Sequence, residues 1–166
     1  MATVYQALDV GAGQYLSTAF PALVKNGTNF PVAGLAYDAA AVEAAFWYLH
    51  ATSYGSGNVT VNLHWYADTA TSGAVVWGVQ LAAITPNTDT QDVETKALAT
   101  ANTATDTHLA TTGQRLHEID VTVSNLDSLA NNDAVWLRIY RDATNGSDTM
   151  TGDAILTSVV VSYSDT

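Results

Sequence analysis

The sequence predicts an all-β chain: an antiparallel β-sandwich of jelly-roll type, about eight strands, with one short helix in a crossover near residues 89–101. Three observations predict it. From about residue 30 onward, apolar positions recur every second residue and not every 3.6. Those positions are rich in Val, Ile, Trp and Tyr, the residues that suit a pleated surface. Short polar turns separate the runs.

Taken in order, residues 1–29 are the least regular. "MATVYQALDVGAGQYLSTAFPALVKNG" alternates loosely and is broken by Gly11, Gly13 and Pro21. The segment reads either as an edge strand of the chain's own sheet or as an arm laid on a neighbouring subunit, with residues 30–166 forming the jelly-roll domain. "FPVAGLAYDA" and "EAAFWYLHAT" are the next strands. In "NVTVNLHWYA", Val59, Val61, Leu63 and Trp65 share one face; in "AVVWGVQLAA", Val75, Trp77, Val79 and Leu81 do the same. The polar link "ADTATSG" between them predicts a β-hairpin whose two tryptophans pack in the core.

Residues 85–112 break the pattern: ten of the 28 are Thr. Within them, "DTQDVETKALATA" offers Asp89 or Thr90 as a cap, acids in the first turn, and a thin apolar stripe of Val93, Ala97 and Leu98. That combination predicts the short helix. Period two then returns in "LHEIDVTVSN", in "DAVWLRIYRD", and in the closing "ILTSVVVSYS".

Composition narrows function. Sixteen acids against five bases give a formal charge of −11, which repels phosphate backbones and argues against nucleic acid. Only 13% of residues are charged, against about a quarter in ordinary soluble domains. This deficit reads either as an uncharged Thr, Ser, Asn and Ala surface on a free monomer or, since interface cores are depleted in charge, as a permanently assembled subunit, the reading favoured here. The sequence has no Cys, opens without a basic, apolar leader and carries no apolar run of membrane-spanning length; it predicts a protein made in the cytoplasm and no membrane partner.

Chemistry is sparse. His50, His64, His108 and His117 lack the spacing of zinc ligands, and "RDATNGSDTMTGD" gathers Asp142, Asn145, Asp148 and Asp153 without the calcium-loop register. No nucleophile elbow, P-loop or dinucleotide fingerprint is present. The reading is therefore no enzyme, no cofactor and no metal. Trp47, Tyr66, Trp136 and Tyr140 are candidates for an exposed aromatic surface by register. Trp136, Arg138 and Tyr140 form an aromatic, Arg, aromatic row on one strand face. Such a row suits stacking on a sugar, anchoring a subunit interface, or the second buried face of a covered sheet. Tyr5 and Tyr15 are the corresponding partner-contact candidates in the N-terminal segment.

The series Gly57 to Trp65, Gly73 to Trp77, Asp133 to Asp142 and Val159 to Tyr163 resembles a jelly-roll domain of tailed-phage virions across residues 43–166. Proteins with that domain serve as capsid decoration (cement) proteins, head fibres, or parts of tail fibres. A single domain without a fibre shaft favours the decoration role. The resemblance thus implies a homotrimer on the virion surface that binds the major capsid protein and stabilises the lattice. The alternative is a carbohydrate- or receptor-binding tip, with a glycan as partner.

Overall fold

The computed structural model describes residues 2–166. It contains ten strands: β1 (Thr3–Leu8), β2 (Ala22–Asn26), β3 (Val32–Tyr37), β4 (Glu43–His50), β5 (Val59–Ala67), β6 (Ala74–Ile84), β7 (Asn102–Thr107), β8 (His117–Val123), β9 (Ala134–Arg141) and β10 (Ala154–Ser164). All strand pairs are antiparallel. One sheet, here sheet A, runs β2-β3-β10-β5-β8, with β1 also on β10; sheet B runs β4-β9-β6-β7. Strands β3 to β10 thus interleave between two four-stranded sets, the jelly-roll arrangement. β1 and β2 extend sheet A, which is why the strand count exceeds eight.

The period-two pattern places the core. Val61, Leu63 and Trp65 from sheet A are fully buried against Val75, Trp77 and Val79 from sheet B. Trp65 and Trp77 approach with ring centroids 6.3 Å apart, and Tyr37 meets Trp77 edge-on at 5.2 Å. Burial of each such ring contributes on the order of 1.5–3 kcal/mol, so both tryptophans are packing residues.

The predicted hairpin is not one. β5 belongs to sheet A and β6 to sheet B. Residues 68–73 therefore carry the chain over the rim of the sandwich, and the two apolar faces meet across the core instead of lying side by side. Alternation specifies which face is buried but not which strand is the hydrogen-bonded neighbour.

The predicted helix near 89–101 is also absent; the segment is turns and extended chain. Its thin stripe could not bury enough to offset helix nucleation, and Val93 remains 55% exposed. Other partners take its polar groups: Ala99 N–H donates to the Leu81 carbonyl, and Lys96 Nζ lies 2.8 Å from the Asp127 carboxylate. β7, "NTATDT", then pairs with β6 although its only apolar residue is Ala104.

Within the single chain the N-terminal segment meets both sheets. β1 pairs with β10 from Thr3 opposite Ser164 to Leu8 opposite Val159. Beyond it, Gln14 bridges to Phe46, and Ala44 N–H donates to the Ala19 carbonyl. Residues 14–19 thereby border the outer edge of β4.

The acidic loop after β9 is held by a buried ion pair. Arg141 is fully buried, and its Nη2 and Nε reach the two Asp148 oxygens at 2.7 and 3.0 Å. Its remaining N–H groups donate to the carbonyls of Met150, Gly152 and, at 3.4 Å, Tyr37. Among the described residues no group of three or more His, Cys, Asp or Glu is arranged to hold a metal ion. No helix among them is long and apolar enough to cross a membrane.

Candidate functional site

The outer face of sheet B carries the most organised surface chemistry. Register builds it: Phe46 and Tyr48 of β4 stand beside Arg138 and Trp136 of β9, and Gln80 and Ala82 of β6 stand beside the same two residues on the other side. Along β9, the inward Val135, Leu137 and Ile139 are buried, while Trp136 and Arg138 are half-buried on the opposite face. The row Trp136, Arg138, Tyr140 thus lies along the centre of this sheet.

Contacts between neighbouring strands fix the side chains. Tyr48 packs against Trp136 in an edge-on arrangement at 5.1 Å, and its hydroxyl lies 3.0 Å from His50 Nε2. The Arg138 guanidinium sits 4.3 Å above the Tyr140 ring and donates to Gln80 Oε1. Gln80 in turn donates from Nε2 to the Ala99 carbonyl at 2.8 Å, which ties the row to the 85–101 crossover. Partial burial lowers the Arg138 pKa from its usual range, the nearby Tyr140 and Asp142 opposing that shift. Burial raises the Tyr140 phenol, with Asp142 adding to the rise.

Gly78 explains how Tyr140 lies flat. A Cβ at position 78 would sit 2.2 Å from Tyr140 Cζ, so the ring occupies the space that any side chain on β6 would fill. Tyr140 is accordingly only 8% exposed, whereas Tyr48 is 47% exposed and Trp136 lies between them in depth.

The floor becomes a groove because both flanking segments rise beside it. Leu16 forms one wall, and Val93, Lys96 and Leu98 form the other, around a recess of about 450 Å³ floored by Phe46, Trp136 and Arg138. Lys96 is the only wall cation, and its charge is met by Asp127. The groove therefore offers aromatic and aliphatic surface and one guanidinium, with the Gln80 amide behind it bonded to Arg138. It holds no paired carboxylates and no nucleophile with an adjacent base.

The residues singled out from sequence fall in different places. Trp136, Arg138 and Tyr140 are together, as described. Tyr15 is 39% exposed and packs on Phe20 at 5.5 Å, next to the Leu16 wall in sequence. Tyr5 is 70% exposed on β1, opposite Ser162 in sheet A, far along the topology from the β9 row. Trp47 is a correction: it points into the core, 4% exposed, and its indole N–H donates to the Asp9 carbonyl at 2.8 Å. In "AAFWYLH" three consecutive aromatics leave the parity ambiguous, and Ala45, Trp47 and Leu49 take the inner face. Tyr66 faces outward but on sheet A, 7% exposed. Phe46 and Leu16 line the groove, and Tyr48 and Gln80 stand beside Trp136 and Arg138 on the same sheet face; register reading missed all four, and the parity of Trp47 would have revealed Phe46 and Tyr48.

No protein-family model matches the chain, and no curated protein matches it. Solved structures do. The chain is similar to a carbohydrate-binding module specific for non-crystalline cellulose, CBM28, with a TM-score of 0.52 and 13% identity over 89% of this chain and 85% of that one. A structure described as a promiscuous carbohydrate-binding module of the β-sandwich superfamily aligns at a TM-score of 0.43 and 10% identity, over 95% of this chain and 55% of that one. At these identities the likeness is one of fold, and the second match adds nothing to it. Nothing in these comparisons points to a phage virion domain.

Proposed function

We propose that this protein is a non-catalytic carbohydrate-binding module that holds an uncharged polysaccharide chain along the outer face of sheet B. The observation that carries the reading is the row Trp136, Arg138, Tyr140, extended sideways by Tyr48 and Phe46 and walled by residues of two loops. A sugar ring has an apolar C–H face and a rim of hydroxyls. Trp136 and Tyr48 supply flat surface for the first; Arg138 and Gln80 supply donors and acceptors for the second. Both polar groups are already held by neighbours, so little side-chain entropy is lost on binding. The carbohydrate-binding neighbour of the same fold supports this reading.

The virion reading, with a homotrimer seated on a major capsid protein, has no observation of its own in this geometry.

Native electrophoresis through gels containing hydroxyethylcellulose, mixed-linkage β-glucan, xylan or galactomannan tests the proposal. At least one neutral polymer should retard the wild-type protein. Trp136→Ala should weaken that affinity by about tenfold or more, the cost of truncating a central aromatic anchor, without changing the thermal midpoint by more than a few degrees. Wild-type mobility unchanged in every polymer, or full retardation of W136A, would overturn it.

A further inference from the structure

The other sheet carries a second recess. On the outer side of sheet A, a cleft of about 600 Å³ opens between the β2–β3 turn, the end of β5 and the loop before β8. Local irregularities shape it. Gly27 has φ +97°, and a Cβ there would lie 2.1 Å from the Phe30 carbonyl oxygen, so only glycine closes this turn. The turn presents Phe30 at 70% exposure. A register shift in β10 between Leu156 and Ser158 places Thr157 in the cleft lining.

Its polar groups are incompletely used. Asn26 Nδ2 donates to the Tyr66 hydroxyl at 3.0 Å, which leaves the Tyr66 O–H hydrogen and the Asn26 carbonyl oxygen free. Gln114 Nε2 donates to the Asp68 backbone carbonyl, which leaves Gln114 Oε1 free. Asp68 itself also lines the cleft. The recess thus combines two exposed apolar side chains, Phe30 and Leu116, with one hydroxyl donor and several acceptors. Its volume falls in the usual range for small-molecule sites, about 300–1,000 Å³.

We infer that this cleft is a second binding site, for a single uncharged sugar residue, on the sheet opposite to the polysaccharide groove. A pyranose matches it: the C–H face lies against Phe30, and hydroxyls donate to Asn26, Gln114 and Asp68 while one accepts from Tyr66. Acidic sugars are disfavoured, because Asp68 is the only ionised lining group and the whole chain carries −11. The ligand class rests on the carbohydrate reading above, but the site shares no residue with the groove. With sites on opposite sheets, one molecule can join two glycans, and the second contact gains from effective concentration.

The test is a ¹H–¹⁵N spectrum of the full chain titrated with the methyl glycosides of glucose, galactose, mannose and N-acetylglucosamine at millimolar concentration. At least one should shift the Gly27, Phe30 and Gln114 amides and leave Phe46 and Gln80 unmoved. Phe30→Ala, at an exposed position that does not support the core, should weaken that response by about tenfold; Tyr66→Phe should weaken it while preserving the spectrum elsewhere. Retention by neutral polymers with silent cleft amides, or cleft shifts that persist in both variants, would overturn this inference alone. Cleft shifts without retention by any polymer would overturn the groove reading and uphold this one.

Discussion

Replacing Arg141 by Met is the sharpest test of how this sandwich holds its rim together. The side chain is 0% exposed, and Asp148 is 1% exposed. The guanidinium makes two charge-assisted bonds to Asp148 and donates to the carbonyls of Met150 and Gly152 at 2.6 and 2.8 Å. Without it, the Asp148 carboxylate keeps only the Val76 N–H at 3.0 Å, and the carbonyls of Tyr37, Met150 and Gly152 lose this donor. Removing one partner of such a pair costs about 3–5 kcal/mol, because the charge left behind stays buried. Against a typical total of about 5–15 kcal/mol, that is a large share. With a urea slope of about 2 kcal/mol/M, the midpoint of unfolding followed by tryptophan fluorescence should fall by about 2 M. Arg141→Met combined with Asp148→Leu should recover at least half of the loss, since no charge is then stranded. A fall of under about 0.5 M in the single variant would refute the reasoning, because the penalty of a stranded buried carboxylate would be absent.

Two further outcomes follow from residues on opposite sides of the molecule. Gly78→Ala should displace the Tyr140 ring, which a Cβ would meet at 2.2 Å, and so disturb the Arg138 contact; polymer retention should weaken severalfold while the core tryptophans keep their emission spectrum. His117 is 2% exposed, stacked on Trp65 at 4.3 Å, with neither ring nitrogen hydrogen-bonded and Asp106 Oδ2 3.6 Å from Nδ1. Burial holds its pKa below the ordinary 6.5, with His108 and Arg115 acting the same way and Asp106 opposing. The unfolded chain therefore takes up a proton near pH 6.5 that the folded chain refuses, so stability falls as pH drops below that value and is unaffected by this group above it. His117→Phe should flatten the part of the thermal midpoint's pH dependence that lies just below 6.5; an unchanged slope there would show that other groups set it.

Much of the fold is legible in the sequence because period two is a direct imprint of one buried face. The inward sets of β5 and β6 are read correctly from alternation alone. Partnership is not, since β5 and β6 look like a hairpin until the sandwich puts their apolar faces opposite each other. β7 escapes notice because its two-sided polarity erases the alternation; β6 holds it by backbone pairing. The 89–101 segment shows the reverse error, where caps and propensity favour a helix but the available burial is too small. The central strand of the groove can be read from "VWLRIYR", whereas its walls cannot. Leu16 and Val93 lie 77 positions apart and converge only through the Gln14–Phe46 bridge and the Ala99 and Lys96 tethers.

Low charge has two physical explanations in such a fold, and the exposed apolar residues bear on the choice by their positions. A permanent trimer needs a continuous apolar patch, about 800 Å² per partner for a standard interface. Of the exposed large apolar residues, Leu16, Tyr48 and Val93 belong to the groove region on sheet B, Phe30 and Leu116 line the cleft on sheet A, and Tyr5, Tyr15, Phe20, Leu23 and Leu109 lie in neither recess. Two separated recesses with amides, a guanidinium and a phenol among the apolar groups are the pattern of ligand sites, which are apolar with a few convergent polar groups. On the proposed carbohydrate reading, uncharged faces suit neutral sugars, and the sixteen acids set up a negative field around them. The same field selects ligands. Neutral polymers should be retained at low and moderate salt alike, whereas sulfated or uronic polymers should be excluded at low salt and admitted only as screening shortens the field; retention of an acidic polymer at low ionic strength would contradict this account of why the charge is there.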